Sequence, residues 1–333
     1  MKNILFVASE AVPFVKTGGL ADVVGSLPGY FDKKYFDCRV MLPKYMCIPW
    51  ELRERLEYVS HFYMDYLGQS RYVGILKAEH EGVTYYFIDN EGYFSGDRPY
   101  GNWLYDLEKF SFFSLAALSA LPVIGFKPDV VHCHDWQTGL IPVYLKDRFR
   151  EGEFFRNMKS VFTIHNLKFQ GVWDVDTIKR FSTLPGYYFT EDKLESYKNG
   201  NMLKGGVVYA DAITTVSDTY AKEIQTEFFG EGLDGLMRAR SNSLRGIVNG
   251  IDYREFNPET DEYIYQKYSA KNFRKEKYKN KTGLQTDLGL EVDEGRFMLG
   301  IVSRLTNQKG LDLVRCVIDE ICQEDTQLVV LGT

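Results

Sequence analysis

A lysine and a pair of glycines follow the first predicted strand of the chain. Lys16, Gly18 and Gly19 lie between a strand predicted over Asn3–Ala8 and a helix predicted over Leu20–Phe31. Glycine lets a ligand approach the backbone closely, the N–H groups at a helix start attract anions, and the lysine adds a positive charge. The run matches neither a Walker loop nor GxGxxG, so it specifies no nucleotide. A plain strand-to-helix turn with a solvated lysine explains the spacing equally well.

A second polar cluster ends the strand predicted over Val130–Cys133. His132 and His134 share one face if the strand continues, and Asp135 could add a third metal ligand. His-x-His alone is a weak metal signal, so we favour a structural histidine pair and predict no metal site. Asp135 and Trp136 suit a sugar, because a carboxylate accepts from hydroxyl groups and an indole packs on C–H faces. Trp136 as a core residue is the alternative.

Two further strand ends carry candidate residues. His165 and Asn166 follow the strand predicted over Ser160–Ile164, and Asn249 with Gly250 follows a predicted strand at 246–248. Neighbouring parallel strands end at the same sheet edge, where α/β proteins bind ligands. We therefore expect His165 and Asn166 to face the same site as Asp135. A structural histidine and an ordinary Asn-Gly turn are the simpler interpretations.

Two cations occupy a later strand-to-helix loop. Arg304 follows the strand predicted over Phe297–Ser303, and Lys309 precedes the helix predicted over Leu311–Ile321. The pair suits a diphosphate, because arginine binds two oxygens at once and lysine supplies a point charge. An exposed, solvated pair is the alternative.

Strands alternate with helices along the rest of the chain, which predicts an α/β fold with mostly parallel sheets. The other predicted strands are Cys38–Leu42, Tyr72–Lys77, Val83–Ile88, Ala212–Val216 and Leu328–Leu331. The other predicted helices are Leu107–Leu121, Thr138–Arg148, Lys198–Tyr209 and Thr219–Thr226. Glu81 and Gly82 separate two of the strands as a hairpin turn would.

A change of composition divides the chain into two predicted domains, residues 1–255 and 256–333. Residues 256–294 are charged and rich in Tyr and Lys, and a new strand begins at Phe297. Parallel strands require cover on both faces. The second domain has only two predicted strands and one predicted helix, so we expect it to be incomplete and the chain to be a fragment.

Composition excludes several classes of protein. The net charge of −6 over 333 residues leaves no basic excess for a nucleic-acid phosphate backbone. Five scattered cysteines form no metal or redox spacing, which predicts reduced thiols in the cytoplasm. No secretory signal is visible, and serines, Pro122 and Gly125 interrupt the apolar run 110–126, so we predict no membrane span.

Together the motifs resemble glycogen and starch synthases, glycosyltransferase family 5. The run Val15–Val23, VKTGGLADV, is similar to a signature that few other families carry. The order of the others agrees: HCHDW at 132–136, IHN at 164–166, NGID at 249–252, SRL at 303–305 and QKGLD at 308–312.

The resemblance implies a GT-B fold, two Rossmann-like doubly wound domains facing a cleft. It also implies transfer of glucose from ADP-glucose to the non-reducing end of an α-1,4-glucan, with retention and without a metal or cofactor. Lys16, Gly18 and Gly19 would contact the donor nucleotide, and Arg304 and Lys309 its diphosphate. The resemblance implies that the glucosyl and acceptor side is lined by Asp22, Asp135, Trp136 and Asn166, with His165 at the reacting centre and Asn249 at the cleft base.

The family's second domain continues beyond the residues present here, with an acidic loop and a Gly-rich nucleotide loop. We therefore expect the chain itself to have little synthase activity. Preference for ADP-glucose over UDP-glucose, glycogen over starch, and the oligomeric state stay open. The alternatives are another GT-B transferase with a different acceptor and a non-catalytic glucan-binding fragment.

Overall fold

The computed structural model describes residues 1–101, 103–323 and 325–332. Fourteen strands are found in this part of the chain. They are β1 Lys2–Val7, β2 Phe36–Pro43, β3 Glu57–Tyr66, β4 Gln69–His80, β5 Val83–Asp89, β6 Val130–His134, β7 Lys159–Ile164, β8 Val172–Asp174, β9 Glu195–Ser196, β10 Asn199–Asn201, β11 Ala212–Thr215, β12 Leu244–Gly246, β13 Phe297–Val302 and β14 Thr326–Leu331.

Twelve α-helices lie within the same described ranges. They are α1 Gly19–Ser26, α2 Trp50–Arg53, α3 Glu91–Phe94, α4 Trp103–Val123, α5 Leu140–Asp147, α6 Val175–Ser182, α7 Met202–Tyr209, α8 Asp218–Glu223, α9 Asp234–Ala239, α10 Phe273–Glu276, α11 Tyr278–Asp287 and α12 Leu311–Gln323. Short 3₁₀ segments include Leu27–Tyr30, Trp136–Thr138 and Asn307–Lys309.

The chain forms two compact units, Met1–Gly250 and Ile251–Thr333. The first is built on a nine-stranded sheet in the order β12-β11-β7-β6-β1-β2-β5-β4-β3. All neighbouring strands from β12 to β5 in that order pair in parallel. At the edge, β4 is antiparallel to β5, and β3 is antiparallel to β4. The predicted β4–β5 hairpin is confirmed. The sequence does not predict strand β3. Its residues are mostly exposed or half-buried, so they form no run of apolar residues that would indicate a buried strand.

The core of the first unit lies against the centre of the sheet. Leu5, Phe6 and Val7 of β1 are fully buried, and the phenylalanines of α4 add large apolar area. Burial on this scale is the main source of folding free energy, at roughly 25 cal/mol per Å² of apolar surface. The sheet therefore holds its central strand ends, and the loops that follow them, in fixed positions.

Three predicted boundaries in this unit need correction. The helix predicted over Lys198–Tyr209 begins only at Met202, because Asn199–Asn201 form strand β10, which pairs with β8 and β9. The first helix ends at Ser26 rather than Phe31, because Pro28 has no N–H to continue the α-helical ladder and a 3₁₀ turn follows. The strand predicted at 246–248 occupies Leu244–Gly246 instead, where it pairs with β11, and Ile247 and Val248 lie beyond it, exposed.

The second unit contains a two-stranded parallel sheet, β13 with β14, and helix α12. Helices α10 and α11 occupy a stretch for which the sequence predicts no element. No apolar side chain among the described residues of this unit is buried. Its two most buried polar residues, Gln285 and Gln327, hydrogen-bond to each other at 2.7 Å.

Candidate functional site

Three central strands bring most of the predicted site residues to one sheet edge. Strand β1 lies beside β6, and β6 lies beside β7, all parallel. Their carboxyl ends are therefore neighbours, as the sequence analysis expects. The loops that follow Val7, His134 and Ile164 form the edge described below.

The loop after β1 is held by a buried carboxylate, Glu10, which is not among the predicted site residues. Glu10 is 4% exposed and accepts hydrogen bonds from Thr17, from the backbone N–H and from Oγ1 at 2.9 Å. The Tyr100 hydroxyl donates to the same carboxylate at 3.1 Å. Burial raises the pKa of Glu10, while these bonds act to lower it. An acid three residues after the end of a buried strand is the signal in the sequence, because such a group requires partners when it is buried.

Lys16 of this loop forms an ion pair with Asp22 in the first turn of α1, with Nζ 2.6 Å from Oδ1, and both side chains are partly exposed. Gly18 precedes α1 with an extended backbone, and Gly19 is the first helical residue. Apart from atoms of the chain neighbours and of the α1 backbone, no described atom lies within 4 Å of a Cβ added to either glycine. The fold of the described chain therefore gives no steric reason for glycine at these two positions.

Asp135 has a left-handed backbone, with φ of 54°, directly after β6. Its Oδ1 accepts from the backbone N–H of His165 at 2.7 Å, and the Asn166 backbone donates to the same carboxylate. Desolvation raises the pKa of Asp135 to about 7, and the nearby Glu10 charge adds to the shift while the two amides oppose it. Asp135 thus ties the β6 loop to the β7 loop.

The three histidines of the edge take part in two hydrogen bonds, one between two of the rings and one from the third ring to a threonine. Nδ1 of His134 lies 3.0 Å from Nε2 of His165, and Nε2 of His132 lies 2.6 Å from Oγ1 of Thr163. Burial lowers the pKa of His165 to about 4 and that of His132 to about 3, so both rings are neutral near pH 7. No group of three metal-ligating side chains is found in the described ranges.

Trp136 is packed as well as partly exposed. Its ring contacts Phe110 edge-on at 5.3 Å and Trp173 at 5.5 Å, measured between centroids. A Cβ on Gly171 would come within 2.6 Å of the indole, so the glycine makes room for it. Much of the ring belongs to the core, and its contact with a sugar stays a prediction.

Asn249 lies beyond β12, two strands away from β7, and is exposed. The order of the sheet places it at the same edge but not beside His165. Its role near a donor stays a prediction.

Arg304 and Lys309 belong to the second unit. Both are exposed in the loop between β13 and α12, and Lys309 ends a 3₁₀ turn. Gly310 follows with φ of 67°, a left-handed conformation that favours glycine and starts the helix at Leu311. The strand–loop–helix arrangement predicted for these cations is thus present.

Comparison with known proteins defines the class of this fold and site. A family model of the starch synthase catalytic domain matches residues 3–239. The chain belongs to this family, the glycogen and starch synthases, whose reaction is glucosyl transfer in glycogen or starch synthesis.

Individual relatives narrow the identification to bacterial glycogen synthases. The chain is 65% identical to glycogen synthase of Lachnospira eligens over 334 residues, covering 100% of this chain and 70% of that protein. It is 61% identical to glycogen synthase of Lachnoclostridium phytofermentans, again covering 100% and 70%.

A solved structure agrees. The catalytic domain of starch synthase IV from Arabidopsis thaliana, bound to ADP and acarbose, superposes with a TM-score of 0.91 at 31% identity, covering 99% of this chain and 68% of that one. This likeness confirms the predicted α/β fold class of GT-B type with Rossmann-like sheets. No helix in the described part of the chain combines the length and apolar character needed to cross a membrane.

Proposed function

We propose that the protein transfers glucose from ADP-glucose to the non-reducing end of an α-1,4-glucan, with retention at the anomeric carbon. The observation that carries the proposal is the convergence of the Lys16 loop, Asp135 and His165 at the joined ends of β1, β6 and β7. The starch synthase relative bound to ADP and acarbose supports a nucleotide donor and a glucan acceptor.

The donor phosphates would lie against the loop before α1. The open space beside Gly18 and Gly19 supports this position. Packing against neighbouring side chains does not explain these glycines, whereas a ligand that approaches the backbone closely would require them. Lys16 would exchange its exposed ion pair with Asp22 for the phosphates. Arg304 and Lys309 would neutralise the departing diphosphate, which is how preorganised cations stabilise developing charge.

The sugar would occupy the side formed by Asp22, Asp135, Trp136 and Asn166, with His165 beside the reacting centre and Asn249 near the donor. His165 is neutral near pH 7, because burial lowers its pKa to about 4, so it would contact the glucose by hydrogen bonding. The glycosidic bond breaks toward an oxocarbenium-like state. We propose front-face attack by the acceptor hydroxyl, with the departing phosphate taking its proton.

We further propose that catalysis needs no metal or cofactor, since Arg304 and Lys309 supply the positive charge that a divalent ion would provide. Five cysteines without a disulfide support a cytoplasmic location.

We propose that the 333-residue chain alone transfers little glucose. The unburied apolar side chains of the second unit support this, because its two-stranded sheet cannot hold Arg304 and Lys309 rigidly.

Incorporation of labelled glucose tests these proposals. The 333-residue chain and a protein of the relatives' length are each given ADP-glucose or UDP-glucose, with glycogen, maltooligosaccharides or monosaccharides as acceptors. We expect turnover by the longer protein only, with ADP-glucose and a glucan. Transfer to monosaccharides alone would favour a transferase with another acceptor. Glycogen binding without turnover by either protein would favour a glucan-binding module.

A further inference from the structure

His165 is hydrogen-bonded to a second, fully buried histidine. His134 ends β6 with 0% exposure, and its Nδ1 lies 3.0 Å from Nε2 of His165. Burial lowers the pKa of both rings, so both are neutral near pH 7. A hydrogen bond between two neutral imidazoles contains one proton, and therefore one ring donates and the other accepts. The choice determines which nitrogen of His165 carries its own proton.

The surroundings of His134 decide between the two arrangements. If His165 donates from Nε2, His134 must carry its proton on its own Nε2, which is buried and has no hydrogen-bond partner among the described residues. The rings of Phe6 and His132 stack on His134 at 18° and 27°. An N–H in the plane of His134 therefore points at neither aromatic face. A buried N–H without a partner is rarely tolerated, whereas an unpaired acceptor is tolerated more often.

We propose that His134 is a positioning residue, which donates from Nδ1 to Nε2 of His165 and thereby fixes His165 as the tautomer protonated at Nδ1. His165 then presents an N–H donor at its other nitrogen. That nitrogen can donate to a sugar oxygen and has no lone pair with which to accept a proton. The consequence for the sugar depends on the function proposed above for His165, whereas the tautomer itself does not.

The backbone around His134 keeps its ring in this position. The Thr138 hydroxyl accepts from the His134 N–H at 2.7 Å and donates to the His134 carbonyl at 2.9 Å. Asp135 accepts from the His165 N–H, so both ends of the ring-to-ring hydrogen bond are anchored. Second partners of this kind commonly set the tautomer of a functional histidine.

Long-range ¹H–¹⁵N correlation spectra of the ¹⁵N-labelled chain test the proposal directly. The sequence contains only five histidines, so the ring signals can be assigned, with His165→Asn identifying the His165 pair. We expect a protonated Nδ1 and an unprotonated Nε2 for His165 near pH 7. A protonated Nε2, or protonation of both nitrogens, would overturn the proposal without any activity measurement.

Two substitutions of His134 sharpen the test. His134→Asn keeps a donor near the Nδ1 position, and we expect it to preserve the His165 tautomer. His134→Leu removes the donor, and we expect part or all of the His165 population to move its proton to Nε2. An unchanged tautomer in a folded Leu variant would contradict the role of His134. If the Leu variant does not fold, the spectrum of the unsubstituted chain still decides. If the longer protein is inactive but His165 is protonated at Nδ1, the result contradicts the proposed function and leaves the tautomer proposal standing.

Discussion

The two compact units of this chain contrast in what lies at their centres. The first surrounds its nine-stranded sheet with a continuous apolar core, in which β1 is fully buried at Leu5, Phe6 and Val7. The second has a hydrogen-bonded pair of glutamines, Gln285 and Gln327, as its buried centre, and no described apolar side chain in it is buried. The same strand–loop–helix motif occurs in both units, so the motif alone does not make a rigid site. Packing around it does.

The largest expected effect is on separate pieces of the chain. We expect residues 1–250 alone to unfold in one cooperative thermal transition close to that of the whole chain, because their core is self-contained. We expect residues 251–333 alone to show no cooperative transition, because their sheet faces are uncovered. Circular dichroism melts of the two pieces and the whole chain check this. A sharp transition of residues 251–333, or none of residues 1–250, would remove the contrast.

Matched glycine substitutions probe the packing at one residue in each unit. A Cβ on Gly139, before α5, would overlap the backbone carbonyl of Met202. Apart from its chain neighbours, no described atom lies within 4 Å of a Cβ on Gly300 in β13. We expect Gly139→Ala to lower the free energy of unfolding by about 1–3 kcal/mol, as overpacking does. We expect Gly300→Ala to leave it unchanged or raise it by up to about 1 kcal/mol. Denaturant unfolding measures both, and equal losses would show that the units are packed alike.

A pH-dependent effect on stability is expected from Asp135. Its pKa is raised to about 7 by desolvation, above the ordinary value of about 3.9. Between these values the folded chain keeps a proton that the unfolded chain loses, so this group's contribution to stability falls as pH rises from about 4 to about 7. We expect the stability of Asp135→Asn relative to the unsubstituted chain to rise by about 2–3 kcal/mol between about pH 5 and about pH 8.

Asp129→Asn is the control for that experiment. Its hydrogen bond from Lys2 lowers the pKa of Asp129, so this carboxyl stays charged across the same window. The effect of its substitution should not change between about pH 5 and about pH 8. A pH-independent difference for Asp135→Asn as well would refute the raised pKa.

Much of the first unit could be predicted from its residues, because apolar runs mark buried parallel strands. Strand β3, Glu57–Tyr66, is not predicted from the sequence, because its residues are mostly exposed or half-exposed and show no strong burial pattern. Helix α11 is not predicted for a similar reason. Only Gln285 of its residues is buried, so its sequence shows no apolar face that would indicate a helix.

For the candidate site, the sequence predicts which residues lie together but not the hydrogen bonds between them. The sequence predicts Lys16, Asp135 and His165 as site residues because polar groups follow buried strands there, and the sheet places their loops at one edge. The hydrogen bond between His134 and His165 joins side chains that are 31 residues apart. The bond from Thr17 to Glu10 spans only seven residues, but it depends on how the loop between them folds. Spacing along the chain contains no information about such contacts.

The most direct test of the central claim is labelled glucose incorporation by a protein of the relatives' length carrying Lys16→Ala or Lys2→Ala. Both lysines form exposed ion pairs in the first unit, Lys16 with Asp22 at 2.6 Å and Lys2 with Asp129 at 2.8 Å. Lys2 is the first residue of β1, whereas Lys16 lies in the loop that follows the other end of the strand. We expect Lys16→Ala to lower turnover with ADP-glucose on the order of 100-fold, as loss of one preorganised contact to developing charge does. Lys2→Ala should change it less than about twofold, as expected for a surface pair. Equal and small effects of both substitutions would contradict a donor site at the carboxyl edge of this sheet.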